Sequence, residues 1–227
     1  MGDITGHAPT AEGGTLSATI SDRLRADVLA GRRDPGSRVR LEELKLEFGV
    51  SWSPIREAVS RLVAEGVIVA DGARSYRVAP ASRAELNEIL RLRVMLETSA
   101  LRGAIERGDD AWEAELLASQ HRLSKLESRR VEPEEAEQWE TWHRAYHDVL
   151  TRACDSPILL QFCRTLHGMN DRYRRLYLAR HTVDRDVAAE HRAITSATLA
   201  RDADRACALL KSHIERTGRN ILKIMPE

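Results

Sequence analysis

The chain has 227 residues, a formal net charge of zero from 35 basic and 35 acidic side chains, and few aromatics. That length supports one large or two ordinary domains, and zero net charge means that any site for a polyanion must come from local placement of basic residues. No stretch approaches the ~18 apolar residues of a membrane span, and the three cysteines (Cys154, Cys163, Cys207) form no CxxC pair, which together argue for a cytoplasmic chain without a disulfide framework.

The opening "MGDITGHAPTAEGG" has neither the basic nor the apolar region of a secretory signal, so residues 1–14 read as a disordered leader. Leu16, Ile20, Leu24 and Val28 then recur every four residues and predict an amphipathic helix ended by Gly31. After the Pro-Gly turn "RDPGS", Leu41, Leu44 and Phe48 predict a short second helix closed by Gly49. Ser53 offers an N-cap and Pro54 a first helical residue for a third helix, whose buried stripe is Ile55, Ala58, Val59, Leu62 and Val63. Gly66 stops it, and "VIVADGARSYRV" reads as a β-hairpin turning at Asp71-Gly72. Helix, turn, helix, turn, helix, hairpin is the order of a winged helix-turn-helix over residues 15–80.

"VAPASRAEL" (Val78–Leu86) is expected to link this to a second domain, 81–227, with helical period almost throughout. Six helices are expected there. The first is marked by Leu86, Ile89, Leu90, Val94 and Leu101, and the second covers Ala111–Leu126. The third opens at the acidic "EPEEAE" and runs to about Ala153; the fourth runs from Pro157 to about His181. Asp184–Ala200 and Asp202–Ile224 complete the set. The fold class is therefore mainly α: a winged helix-turn-helix followed by an all-α bundle.

The third helix of the first domain is the candidate reader of DNA, because an α-helix fits the major groove and its N-terminal residues reach base edges. Arg56 suits a guanine edge or a phosphate, and Ser51 and Ser53 suit phosphate oxygens. Arg40 and Arg38 could hold flanking backbone, and Arg74 and Ser75 sit at the wing tip. Trp52 has two readings, a DNA contact or an aromatic packed against the first helix. The same segment taken without function is a small helical subdomain with solvated charges.

In the second domain, His143 and His147 stand at i and i+4 beside the apolar stripe of Trp139, Trp142, Tyr146, Leu150 and Ala153. His191 falls in the stripe of Val187, Ile194 and Thr198, and His213 in that of Ala206, Leu210, Thr217 and Ile221. Each could be a satisfied core histidine. Three helices that each turn imidazole inward could equally hold a divalent transition metal.

"PGSRVRLEELKLEFGVSWSPIREAVSRLVAEGVI" closely resembles the signature of GntR-family bacterial transcription regulators, through Val50-Ser51, Pro54, Arg56-Glu57-Ala58 and Leu62 to Glu65-Gly66. The helical remainder resembles the FCD effector domain of the FadR subfamily. The resemblance spans about residues 16–222. It implies base or phosphate contact by Arg56. It also implies departures where the family usually has Arg at Trp52, Arg at Glu42 and Gly at Ser75. "YHDVLTRACDSPIL", "EHRAI" and "LLKSHI" look like the segments that supply metal ligands, matched here by His147, His191 and His213. His143 stands where metal-binding members usually have Asp. Four imidazoles would favour Zn²⁺ or Ni²⁺ over Mg²⁺ or Ca²⁺ and would leave the ion's charge to an anionic effector.

Arg93 and Glu97 match an Arg-Glu pair of FCD domains, so Arg93 is expected either to clamp an effector carboxylate or to pair with Glu97 on the surface. Asn170 and Arg174, in "HGMNDRYRRLY", are candidates for the effector pocket, although a solvated or dimer-facing stretch is the favoured reading. The expected function is a homodimeric regulator that binds a two-fold symmetric DNA operator under control of a small carboxylate. A metal-dependent hydrolase or lyase built on the histidines is the alternative enzyme reading. It lacks an HExxH motif. A sensor acting through protein partners is a third.

Overall fold

The computed structural model describes residues 16–29, 31–72, 75–127, 135–177 and 186–225. They fall into two compact units that divide after Ala79.

In the first unit, α1 (Leu16–Leu29) buries Ile20, Leu24 and Val28, as their four-residue spacing requires. A two-residue strand, β1 (Arg38–Val39), precedes α2 (Leu41–Phe48). It is too short to leave a period in the sequence. Gly49 closes α2 with a left-handed φ of 63°, a conformation in which a Cβ would be strained.

The third helix, α3 (Trp52–Ala64), begins earlier than Ser53 and Pro54 suggested. Ser51 is the extended cap residue, so Trp52, Ser53 and Pro54 form the first turn. Proline tolerates any position in that turn, because the first N–H groups of a helix have no intrahelical acceptor. Ile55, Ala58, Val59 and Leu62 are buried against α1 and Leu44, and Val63 is only partly covered.

β2 (Ile68–Ala70) and β3 (Tyr76–Val78) pair antiparallel with Ala70 opposite Tyr76, and β1 adds to β3 in the order β1-β3-β2. The two strands flank Asp71-Gly72, as the hairpin reading expects. The Asp71 N–H donates to the Ser75 carbonyl at 2.8 Å, and Gly72 takes a φ of 89°. Arg74 lies outside the described residues.

In the second unit, α4 (Arg83–Arg107) starts inside the expected linker, because the Ser82 hydroxyl caps it by accepting the Glu85 N–H at 3.0 Å. Then follow α5 (Asp110–Glu127), α6 (Ala136–Thr151) and a 3-10 turn, Arg152–Cys154. α7 (Pro157–Tyr177), α8 (Val187–Leu199) and α9 (Ala203–Ile224) complete the bundle, the last two capped by Asp186 and Asp202. Residues 132–134 of the acidic "EPEEAE" and the far end of the expected fourth helix, to His181, lie outside the described residues. Leu86, Leu101, Leu116, Leu123, Tyr146, Leu150, Ile194, Leu210 and Ile221 form the core.

α4 and α9 approach closely at Gly218. A Cβ there would lie 2.1 Å from Leu90 Cδ1. No helix among the described residues is long and apolar enough to cross a membrane.

Candidate DNA-reading surface and metal centre

On α3, the buried stripe faces the first unit's core and leaves Ser51, Trp52, Ser53, Arg56 and Ser60 exposed. Arg56 has no ion pair among the described residues, so its guanidinium is available. Trp52 is 37% exposed and is not among the hydrophobics packed on the first unit's core. Its ring instead sits beneath two cations: Lys45 Nζ from α2 lies 5.0 Å from the ring centroid, and the Arg56 guanidinium lies 6.0 Å away. Lys45 was not singled out in the sequence, because it shares no helix with Trp52. Arg40 occupies the N-cap position of α2 and pairs with Glu43 at 2.8 Å, both exposed, a contact worth less than about 1 kcal/mol. Ser75 is half-buried at the end of the wing turn.

The second unit gathers five buried histidines. α6 contributes His143 and His147, α7 His167, α8 His191 and α9 His213. Donor atoms of His143, His147, His191 and His213 all lie within 4.8 Å of one another. Burial holds the charged forms of His143, His147 and His167 in check: all three pKa values are well below the usual imidazole range, first by desolvation and then by neighbouring cations or imidazoles. Neutral imidazole is the ligating form.

The surrounding groups fix the tautomers. His191 Nδ1 lies 3.0 Å from the Glu127 carboxylate, and His213 Nδ1 lies 2.9 Å from Glu190. A carboxylate only accepts, so each Nδ1 carries the proton and Nε2 carries the ligating lone pair. His143 is opposite. Arg174 Nη1 donates to its Nδ1 at 3.0 Å, which puts the His143 proton on Nε2.

Arg174 is itself buried, bonded to Glu140 and, at 2.7 Å, to Asp171, and it lies over the Trp139 ring. Burial alone would raise the Asp171 pKa, but Arg174, His167 and Arg144 bring it down to about 2. Glu140 is raised, by burial above all. The stretch His167–Tyr177 is therefore not a solvated face: His167, Asn170, Asp171, Arg172, Tyr173 and Arg174 are all buried. Its charges are hidden because they are paired with one another, with α6 and, for Arg172, with Glu85 of α4 at 2.9 Å.

Arg93 and Glu97 are buried too, so theirs is not a surface pair. Arg93 Nε donates to Glu97 at 2.6 Å and Nη2 at 3.2 Å. Asn170 is buried, and its Oδ1 has no hydrogen-bond partner among the described residues. A cavity of about 110 Å³ beside the histidines is lined by Glu97, His147, His167, Cys163, Arg152 and Arg164; Arg93 and Asn170 are not on its wall.

Sequence reading missed His167, although Cys163, Leu166, Asn170 and Tyr173 mark the inward face of α7 at helical spacing around it. It also missed Glu127 and Glu190, whose role depends on contacts between helices.

Residues 16–78 match the family of bacterial regulatory proteins called gntR, and residues 88–216 match the FCD domain. The chain belongs to the GntR family and carries an FCD domain. It is 38% identical over 209 residues to the HTH-type transcriptional regulator BphR of Paraburkholderia xenovorans, across 91% of this chain and 85% of that protein. It is 35% identical to the HTH-type transcriptional repressor GlaR of Escherichia coli, across 84% of this chain and 89% of that protein.

In fold it is similar to Escherichia coli McbR/YncC, with a TM-score of 0.71 at 20% identity over 93% of this chain and 99% of that one. It is also similar to the metal-free FCD domain of TM0439, with a TM-score of 0.51 at 18% identity over 64% of this chain and 96% of that one. This GntR/FCD protein is a DNA-binding transcription regulator. Relatives named as regulators give the hydrolase or lyase reading no support.

Proposed function

We propose that this regulator binds its operator as a cytoplasmic homodimer, and that a divalent transition metal held by His147, His191, His213 and His143 shapes its response to a small carboxylate. The observation that carries the metal is the pair of carboxylate-oriented imidazoles, His191 on Glu127 and His213 on Glu190, within 4.8 Å of His143 and His147. An all-nitrogen set suits Zn²⁺ or Ni²⁺. His143 joins the ion once Arg174 releases its Nδ1, because a ligating Nε2 must pass its proton to the other nitrogen.

The carboxylate effector is supported by positive charge around neutral ligands. Arg93 uses two of a guanidinium's five N–H groups on Glu97 and keeps others for an incoming anion. Asn170 Oδ1 accepts an effector hydroxyl. The effector alters operator binding only by preferring one of two conformations of the chain.

For DNA, Arg56 is assigned to a base edge or phosphate, with Ser51, Ser53, Arg40 and Ser75 on backbone phosphates and Trp52 holding Arg56 and Lys45. A two-fold operator follows from a two-fold dimer. The test is binding to the DNA upstream of the chain's own gene at several salt concentrations, with and without Zn²⁺ and candidate carboxylates. Specific, salt-sensitive binding that a carboxylate modulates only in the metal-loaded protein is expected. Indifference to both additions would overturn the effector and metal reading.

A further inference from the structure

We propose that Glu97, His147 and His167 form a second transition-metal site, beside the four-histidine set and distinct from it. Their donor atoms lie within 4.8 Å of one another, and all three side chains are buried. Glu97 Oε2 is 3.9 Å from His147 Nδ1, too long for a hydrogen bond but suited to an ion between them.

The second, independent observation is missing hydrogen bonds. Among the described residues both nitrogens of His147 are buried without a hydrogen-bond partner; so is Nε2 of His167, which lies 3.5 Å from Asp171 Oδ1. A buried polar atom left without a partner is destabilising, so the two nitrogens of His147 above all call for a ligand. The same three residues line the cavity of about 110 Å³, which leaves room for water or an anion at the ion's remaining positions.

Two imidazoles and one carboxylate with open positions is a donor set that first-row divalent ions such as Fe²⁺, Co²⁺ and Zn²⁺ accept. Arg93 does not block it. Glu97 has about four lone-pair positions and gives Arg93 two of them, so the guanidinium acts as the outer group that aims a ligating carboxylate.

His147 belongs to both sets. When it serves the second ion, His143, His191 and His213 keep the first, and three protein ligands with a water in the fourth position are sufficient for such an ion. Two divalent ions face Glu97, Glu127 and Glu190, and Glu97 and Glu190 also pair with Arg93 and Arg216. The remaining positive charge would be met by water or an anion in the cavity.

The experiment is anaerobic titration of the chelator-stripped full chain with Co²⁺, read as visible absorption and as metal per chain after desalting. The expected result is two ions for the native chain, one for His167→Gln, and one for His213→Ala. A native chain that binds a single ion, or none because the cavity holds only water, overturns the proposal without need of a variant. So does an unchanged count of two in His167→Gln whose far-ultraviolet circular dichroism is native.

Glu97→Asp keeps the charge that Arg93 requires but shortens the arm. It should weaken only the second ion by tenfold or more, and an unchanged second affinity counts against the site. The four-histidine reading fails separately: in that case His213→Ala loses no ion.

Discussion

Replacing Glu127 by glutamine removes one charge behind His191 and almost nothing else. The amide keeps an oxygen to accept the His191 Nδ1–H, which now lies 3.0 Å from the carboxylate, and it keeps the shape of the side chain. What is lost is the negative charge that makes the ring a better donor. Outer partners of this kind typically contribute a factor of about 10–100 in metal affinity. Glu190→Gln, behind His213, should do less, because Glu190 divides its charge with Arg216 at 2.8 Å.

The assay is thermal unfolding at a fixed free Zn²⁺ concentration of about 100 times the native dissociation constant. There the ion stabilises the native chain by about 2.7 kcal/mol. A tenfold weaker site would gain only about 1.4 kcal/mol by the same mass-action relation. The missing ~1.3 kcal/mol lowers the metal-induced rise in Tm by roughly 3–5 °C for a chain of this size. If Glu127→Gln shows the full native rise, Glu127 does not orient a ligand and the assignment of His191 falls.

Other expectations concern packing, protons and DNA. Gly218→Ala would normally favour a helix by about 1 kcal/mol. Here its Cβ would meet Leu90 Cδ1 at 2.1 Å, so a net loss of about 1–2 kcal/mol is expected in chemical denaturation, relieved in the Leu90→Ala double variant; a stabilised Gly218→Ala would contradict the close approach. His143, His147 and His167 have depressed pKa values in the folded chain, so the unfolded chain binds more protons near its ordinary value of 6.5. Metal-free protein should therefore lose stability as pH falls through about 6.5 and below. Denaturation midpoints that rise on acidification would refute neutral burial. Arg56→Ala should weaken operator binding by about 1–3 kcal/mol and relax preference at one position per half-site if it reads a base. Trp52→Arg should shift preference toward guanine, and a variant with unchanged sequence preference and affinity would reduce Trp52 to packing.

The helices were legible because their apolar faces recur at the helical period, from Ile20-Leu24-Val28 to Leu210-Ile214-Ile221. The inward placement of His143, His147, His191 and His213 followed from the same stripes. β1 was not legible, since two residues carry no period. The start of α3 was misread because Ser53-Pro54 mimics a helix entry that lies two residues earlier, at Ser51. The buried polar stretch of α7 was hidden for a deeper reason. Asp171 and Arg174 look solvated in any one-dimensional reading, and only their partners on α6, Glu140 and Arg144, make burial tolerable.

The ring of Trp52 carries two cations from different helices, and that binds three positions into one inheritance. A change at Lys45 alters how Arg56 rests, and a change at Trp52 releases both. Exchanges at 45, 52 and 56 should therefore be strongly non-additive: the shift that Trp52→Arg brings depends on which residues stand at 45 and 56.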